Sequence, residues 1–357
     1  MEKEKKSKIK KILVNLTIFI LLIILTFSLV LKDQDVSQIF SVAAKVKKQY
    51  ILFAVLAMSI YILGEAVNIT RILKELGEKS KLISNIRYTL IGFFFSAITP
   101  AASGGQPMEI YYMHKDDISV ANSTLALLMQ LCSLQIVTIT VGIISAVIHF
   151  EVLKSGLIYL LILGIILNSS ALMLLIIAIF SKRLSEGLIK FVVKLLKFFR
   201  IPNVEKKQEK LEKELESYQT SAKYIKEHKI LMLKTVITTV VQMIAYYSVP
   251  YWIYLAFGLT EYNIFEILTL QAVLYATVSG IPSPGAVGVS EGGFLGIFKN
   301  VFPETIISSA MLLTRGANFY LFIIISAIIV MISTFREKRI EKKQMQETEV
   351  LTEKSEK

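Results

Sequence analysis

Residues 279–291 read Ser-Gly-Ile-Pro-Ser-Pro-Gly-Ala-Val-Gly-Val-Ser-Glu, and they interrupt an apolar run that extends from 264 to 302. An earlier stretch, residues 96–109, reads Ser-Ala-Ile-Thr-Pro-Ala-Ala-Ser-Gly-Gly-Gln-Pro-Met-Glu and interrupts the apolar run 88–113. Both stretches lead from a serine through proline and small residues to a glutamate. Because proline and glycine are the poorest helix formers, each stretch predicts a broken helix within an apolar segment.

The chain around these breaks has the composition of a membrane protein. It is 54% hydrophobic and only 19% charged, which is too apolar for a soluble chain of 357 residues. An N-terminal signal peptide is not predicted, because the first apolar run lacks a cleavage site with small residues. Runs long enough to cross a ~30 Å hydrocarbon core predict six full spans, at residues 12–31, 50–70, 120–148, 155–180, 231–257 and 305–334.

The distribution of basic residues predicts the orientation. The chain carries 40 Lys and Arg against 28 Asp and Glu, and Lys and Arg concentrate in cytoplasmic loops. Both termini and segment 182–230 are therefore expected in the cytoplasm, and the loops 149–154 and 258–263 outside. On this topology segment 88–113 begins and ends on the cytoplasmic side, and segment 264–302 begins and ends on the outer side.

The predicted fold is an all-α polytopic membrane protein with six full spans plus two re-entrant broken-helix hairpins in an inverted repeat. The alternative is eight spans, if both hairpins cross. A linker helix at 184–200 is expected at the membrane interface or packed on the protein, and 204–230 is expected to form a solvated helical hairpin. The predicted parts are a basic tail (1–11), a first membrane half (12–181), a helical cytoplasmic linker (182–230), a second membrane half (231–335) and a disordered cytoplasmic tail (336–357).

A broken helix at bilayer depth exposes backbone polar groups that only protein or a water-filled cavity can satisfy. Transporter sites form where such helices meet near the midplane. The half-helix N-termini would bind an anionic phosphate, or simply favour the glutamates Glu109 and Glu291 that open them. Arg315 follows Glu291 by 24 residues. It is the expected partner of Glu291 or of a phosphate, with a pair that only locks helices together as the alternative.

These considerations predict two sets of residues. Polar groups inside spans are treated as functional candidates because burying them is costly. The alternatives are that Arg71 reaches the membrane interface and that the glutamines only join helices. The predicted lipid-headgroup or phosphate-binding residues are Glu109, Glu291, Arg315, Gly104, Gly105, Gly285, Gly288 and Ser290. The predicted supporting residues are Glu65, Asn68, Arg71, Gln130, Gln242 and Asn318.

Other function classes are disfavoured. The sequence has no recognisable catalytic motif, so no catalytic residue and no cofactor are predicted. One cysteine, Cys132, and three scattered histidines have no metal-ligand spacing, so no metal site is predicted. Basic residues flank the spans without aromatic interleaving, which favours anionic lipid headgroups over nucleic acid as partners.

Over about residues 10–335 the chain resembles the flippase-like membrane region of lysylphosphatidylglycerol synthases. In the first motif, Gly105 and Glu109 stand where that family has a glycine and an acidic residue. The second motif of the family resembles Pro-Thr-Pro-Gly-Gly-x-Gly-x-x-Glu. It is matched here by Pro282, Pro284, Gly285, Gly288 and Glu291, with Ser283 and Ala286 as departures.

The resemblance implies a lipid translocase of the cell membrane. It would move a phospholipid such as lysylphosphatidylglycerol, or a related lipid-linked species, with Glu109 or Glu291 contacting a cationic headgroup. The aminoacyltransferase domain of full-length synthases is not found in this sequence. The alternatives are a component of phosphatidylglycerol lysyltransferase, linked to cationic peptide resistance, or a scaffold that binds a separate lipid-modifying enzyme through 182–230.

Overall fold

The computed structural model describes residues 41–99, 102–148, 157–181, 204–281 and 283–336, together with Thr17 and a few positions between 183 and 194. Regular secondary structure in these ranges is helical throughout. The helices are α1 (Lys48–Glu75), α2 (Leu82–Ile98), α3 (Gly105–Lys115), α4 (Val120–Ile148), α5 (Leu157–Phe180), α6 (Val204–Glu227), α7 (Lys229–Tyr247), α8 (Val249–Ala256), α9 (Ile264–Val278), α10 (Val289–Ile297) and α11 (Glu304–Arg315). A 3-10 turn (Pro284–Ala286) precedes α10, and a π-helical turn (Gly316–Tyr320) extends α11 into a helix that ends at Arg336.

Five helical stretches are long and apolar enough to cross a membrane: α1, α4, α5, the continuous α7–α8 pair and the last span, Glu304–Arg336. They confirm the spans predicted at 50–70, 120–148, 155–180, 231–257 and 305–334. The span predicted at 12–31 lies outside the described residues. Large apolar side chains on these helices remain exposed, as on a lipid-facing surface, among them Val147, Tyr159, Met173, Leu174 and Ile324. The protein is therefore a multi-pass membrane protein.

Each predicted break separates a longer helix from a shorter one. The first broken segment consists of α2 and α3, and the second of α9, the 3-10 turn and α10. In both segments the shorter helix packs against the longer one. Pro100, Ala101 and Pro282 lie outside the described residues. The two segments occupy the same place in the order of elements, each between two membrane-spanning stretches.

The two broken segments share one buried core. Helix α2 packs against the 3-10 turn of the second break, and α1 packs against α7, α8 and the π-helical turn. Val287 and Phe319 from the second half belong to the same apolar cluster as Phe94 and Met113 from the first. The Phe93 and Phe319 rings lie 6.0 Å apart between centroids. The two breaks therefore lie side by side in the fold.

Helix α6 is a single helix of 24 residues in place of the expected hairpin. Its apolar face packs on the N-terminal end of α4 and the C-terminal end of α5, where Ala222 and Ile225 are buried. The Tyr218 hydroxyl donates to the Ala178 carbonyl at 2.9 Å. Burial raises the pKa of Tyr218 to about 12, so this hydroxyl stays a hydrogen-bond donor. The segment 184–200 falls almost entirely outside the described residues.

Candidate functional site

The second break turns at Gly285. This residue has a φ of +59°, in the left-handed region that favours glycine. A Cβ atom at this position would also overlap the ring of Phe319. Backbone conformation and close packing therefore both require glycine here, and this fixes the turn against the last span.

Helix α10 begins directly after the turn and is capped by its own glutamate. The Gly288 N–H donates to Oε2 of Glu291 at 2.7 Å. Glu291 is fully buried. An anion at a helix N-terminus is stabilised by the helix dipole and by the free N–H groups there. The N-terminus of α10 thus already holds a carboxylate.

Arg315 pairs with that carboxylate. Its Nε donates to Oε1 of Glu291 at 2.7 Å, and its Nη2 donates to the Gly285 carbonyl at 3.1 Å. The guanidinium lies 4.0 Å from the centroid of the Phe319 ring, in cation–π geometry. The partnership between Arg315 and Glu291 predicted from the sequence is present, and it ties the last span to the second break.

A third group on the same carboxylate comes from the π-helical turn. The Tyr320 hydroxyl donates to Oε1 of Glu291 at 3.1 Å. In a regular α-helix, residues five apart point about 140° away from each other, so Arg315 and Tyr320 would not both reach one carboxylate. The wider π-helical turn brings them to the same face. Tyr320 was not predicted from the sequence. Gly316, in the middle of an apolar span, was the sequence feature that could have indicated an irregular helix there.

A small cavity of about 20 Å³ lies beside Arg315. Ser290 and Asn318, both predicted from the sequence, line it. Three buried oxygens at its wall have no hydrogen-bond partner among the residues that the structure describes: Oε1 of Gln271, Oγ1 of Thr314 and Oδ1 of Asn318. This volume and these polar groups suit about one water molecule. A phosphate group does not fit in this conformation.

The first break closes through small residues. The Gly104 N–H donates to the Thr99 hydroxyl at 2.9 Å, which in turn donates to the Phe95 carbonyl at 2.6 Å. Gly105 lies against the Ser96 side chain, where a Cβ atom would overlap the hydroxyl. Gly104 and Gly105 thus allow α3 to fold back closely onto α2.

Glu109 lies one helical turn after Gly105 and faces the same neighbour, α2. It is 3% exposed, and its carboxyl group lies against Gly92. Its Oε2 is buried and has no hydrogen-bond partner in the described parts of the chain. The half-buried Glu65 on α1 is within electrostatic reach of it. No described hydrogen bond or ion pair links Glu109 to Glu291 or Arg315.

The remaining predicted residues form a polar network between α1, α4 and α7. Asn68 donates to Oε1 of Gln130 at 2.8 Å, and Gln130 donates to Oε1 of Gln242 at 3.2 Å. Arg71 donates to Oδ1 of Asn68 at 3.0 Å and to the Lys234 carbonyl at 2.9 Å. Arg71 is therefore engaged in the protein at the end of the network. These contacts join the two halves of the chain.

Asn168 on α5 is a further residue that sequence reasoning missed. Its Nδ2 donates to the Gly164 carbonyl at 2.7 Å, to the Ala276 carbonyl at 3.3 Å and to the Ser279 hydroxyl at 3.1 Å. It thereby satisfies polar groups at the end of α9, where the second break interrupts the helix. A single asparagine in an apolar span was the available signal.

The site is built from polar and charged side chains of the membrane region. Within the described ranges, no group of three or more His, Cys, Asp or Glu side chains is placed to hold a metal ion.

The family described as the lysylphosphatidylglycerol synthase TM region matches residues 12–326. Among curated proteins, none matches the chain significantly.

Proposed function

Because the chain belongs to the family of the lysylphosphatidylglycerol synthase transmembrane region, we propose that it translocates a phospholipid across the cytoplasmic membrane. Lysylphosphatidylglycerol or a related lipid-linked species is the proposed substrate, and both termini lie in the cytoplasm. The observation that carries the proposal is the buried pair of Glu291 and Arg315 at a broken helix. Ionised groups at such depth are costly and mark substrate pathways in membrane proteins.

Helix lengths support re-entrant segments. The 17 residues of α2 and the 15 of α9 extend about 26 and 22 Å at 1.5 Å per residue. Their partners α3 and α10, with 11 and 9 residues, extend only about 16 and 14 Å. A hydrocarbon core of ~30 Å is too thick for either shorter helix to cross. Two hairpins within six full spans fit these lengths better than eight crossings.

Arg315 is the proposed phosphate-binding residue. In the described conformation Glu291 occupies both Arg315 and the N-terminus of α10. A lipid phosphate is an anion, as that carboxylate is. It would replace the carboxylate at Arg315 and at the N-terminus of α10. Because the adjacent cavity holds only about one water, headgroup binding requires the last span and α10 to separate. The π-helical turn at Gly316–Tyr320 is the proposed point of movement, since such turns are frequent at functional sites.

The test is lipid translocation in proteoliposomes. Wild-type protein should move a fluorescent phospholipid between leaflets, and Arg315→Ala should lower the rate at least about tenfold if one charge-assisted contact of 1.5–3 kcal/mol is lost. Lys299→Ala is the matched control, because it removes an exposed positive charge outside the pair. Equal rates for Arg315→Ala and Lys299→Ala, with both proteins folded, would contradict the assigned role.

The docked helix α6 favours a second candidate function, a scaffold for a separate lipid-modifying enzyme. Its inner face is held by Tyr218 and by Ser221, whose hydroxyl donates to Oδ1 of Asn122 at 2.8 Å. Its outer face presents exposed charges such as Lys213 and Glu216. Co-purification of an enzyme with the wild type, lost when outer-face charges are reversed while α6 stays docked, would support the scaffold. Its persistence would argue against this surface.

A further inference from the structure

Glu109 has no compensation for a negative charge. Its side chain is 97% removed from solvent (3% exposed), and its Oε2 has no hydrogen-bond partner among the described residues. Its helix also offers no help, because Glu109 lies at the fifth residue of α3, beyond the first turn where a helix dipole acts. A buried carboxylate without a partner costs several kcal/mol.

None of the charged groups in the described parts of the chain pairs with Glu109. Glu65 on α1 lies within electrostatic reach of it and is also acidic. The other ionisable groups on α3 and on the helices that surround it are Lys48, Tyr50, Tyr61, Arg71, Lys74 and Glu75 on α1, Arg87 and Tyr88 on α2, Tyr111, Tyr112, His114 and Lys115 on α3, Cys132 on α4, and Glu304, Arg315, Tyr320 and Arg336 on the last span.

Three of the arginines in this set have other partners. Arg71 is bound by Asn68, and Arg315 by Glu291. Arg87 pairs with Asp116 just after α3. Two carboxyls within mutual reach cannot both ionise without a cation between them. Glu109 and Glu65 together therefore favour one positive charge, supplied by a proton or by a ligand.

We propose that Glu109 is a proton-binding site and that its proton exchanges for the ammonium group of a cationic lipid headgroup. In the described conformation the carboxyl is the neutral acid. When an ammonium group reaches it, the O–H bond breaks, the proton leaves to water, and the carboxylate pairs with the ammonium. The reverse exchange on the other side releases the headgroup. This inference rests on the proposed function for its substrate, whereas proton binding by Glu109 stands without it.

One-for-one exchange sets a thermodynamic expectation. Lysylphosphatidylglycerol carries a net charge of about +1, since the two ammonium groups of its lysyl moiety outweigh one phosphate. Exchange against one proton moves no net charge across the membrane. A tenfold proton gradient should then drive an about tenfold difference in lipid between leaflets. Unmodified phosphatidylglycerol has no ammonium group and should not respond.

The first experiment detects the proton itself, by infrared spectroscopy of the protein in lipid nanodiscs at neutral pH. A carboxylic-acid C=O band should be present in the wild type, absent in Glu109→Gln and retained in Glu65→Gln. Absence of the band in the wild type would overturn the proposal whatever the variants do. Loss of the band in Glu65→Gln together with its retention in Glu109→Gln would also overturn it, because the proton would then belong to Glu65.

The second experiment measures coupling in proteoliposomes with a fluorescent lysylphosphatidylglycerol probe and an imposed pH gradient. The wild type should accumulate the probe in one leaflet in proportion to the gradient, and Glu109→Gln should lose this accumulation. Wild-type translocation that ignores the gradient would overturn the exchange. If no variant moves any lipid but the Glu109 infrared band is present, the proposed function fails and the proton site stands.

Discussion

The two broken segments follow one sequence pattern, yet they treat their glutamates differently. Glu291 receives hydrogen bonds from Arg315, Tyr320 and the Gly288 N–H, and is fully buried among them. Glu109 is nearly as buried, but one of its oxygens has no partner in the described residues. The same motif therefore yields a compensated charge in one half and an uncompensated carboxyl in the other.

The difference arises from the span that follows each break. The last span supplies Arg315, 24 residues after Glu291. The corresponding span after the first break, α4, contains no charged residue, and the same count from Glu109 arrives at the buried Ser133. Two similar sequence motifs can thus share the position of an acid while a counter-ion is present in one half only. In a low-dielectric interior, the presence of a counter-ion decides whether the glutamate is held ionised or is free to exchange a proton.

The largest expected effect comes from removing the cation of the compensated pair. Arg315→Met keeps an apolar stem against Phe319 but leaves Glu291 as an unpaired buried charge. Breaking a buried pair in this way costs about 3–5 kcal/mol. The free energy of unfolding in detergent, measured by denaturant titration, should fall by that amount.

The double variant Arg315→Met/Glu291→Gln is the control for this prediction. It removes both charges, so most of the lost stability should return, because replacing both partners of a buried pair is often nearly neutral. A single variant as stable as the wild type would mean that Glu291 does not need its cation. The two halves would then not differ in how much the stability of the protein depends on a cation beside the glutamate.

A smaller effect is expected where the first break packs most tightly. A Cβ atom at Gly92 would overlap Oε1 of Glu109, and overpacking of this kind costs about 1–3 kcal/mol. Gly92→Ala should lower the free energy of unfolding by that amount in the same titration. Adding Glu109→Ala should recover part of the loss, because it removes the overlapping group.

Gly292→Ala is the matched control in the other half. It follows Glu291 in α10, and a Cβ atom there would meet no other atom within 4 Å. The exchange should be neutral or stabilise the protein by up to about 1 kcal/mol, since alanine favours helix. If Gly92→Ala behaved like Gly292→Ala, Glu109 would not be confined against α2.

Much of this fold follows from composition along the chain. Apolar length gave the five described spans, since a helix must cover the hydrocarbon core whatever its neighbours are. Proline and glycine located both breaks, because those residues act on the local backbone. The partnership of Arg315 with Glu291 was also predictable, since the last span holds few charges and a buried arginine needs an anion.

The rest of the site depends on contacts between helices distant in sequence. Tyr320 reaches Glu291 only because the last span widens into a π-helical turn, and a regular helical pattern points it elsewhere. Asn168 donates a hydrogen bond to the Ala276 carbonyl near the end of α9, and the two residues are 108 positions apart in the sequence. Such partners are set by packing geometry. Sequence patterns predict that a broken helix needs them without indicating which side chains supply them.

The smallest expected effect is the most direct comparison of the two acids. Glutamine has the shape and neutrality of a protonated glutamic acid, so Glu109→Gln should change the free energy of unfolding by less than about 1 kcal/mol. Glu291→Gln leaves Arg315 without its counter-ion and should cost about 3–5 kcal/mol. Both variants are measured in the same denaturant titration, with Glu261→Gln in the exposed loop before α9 as the reference for a harmless exchange. Equal losses for Glu109→Gln and Glu291→Gln would show that Glu109 is ionised and has a partner, and the proposed proton exchange would then have no neutral acid to start from.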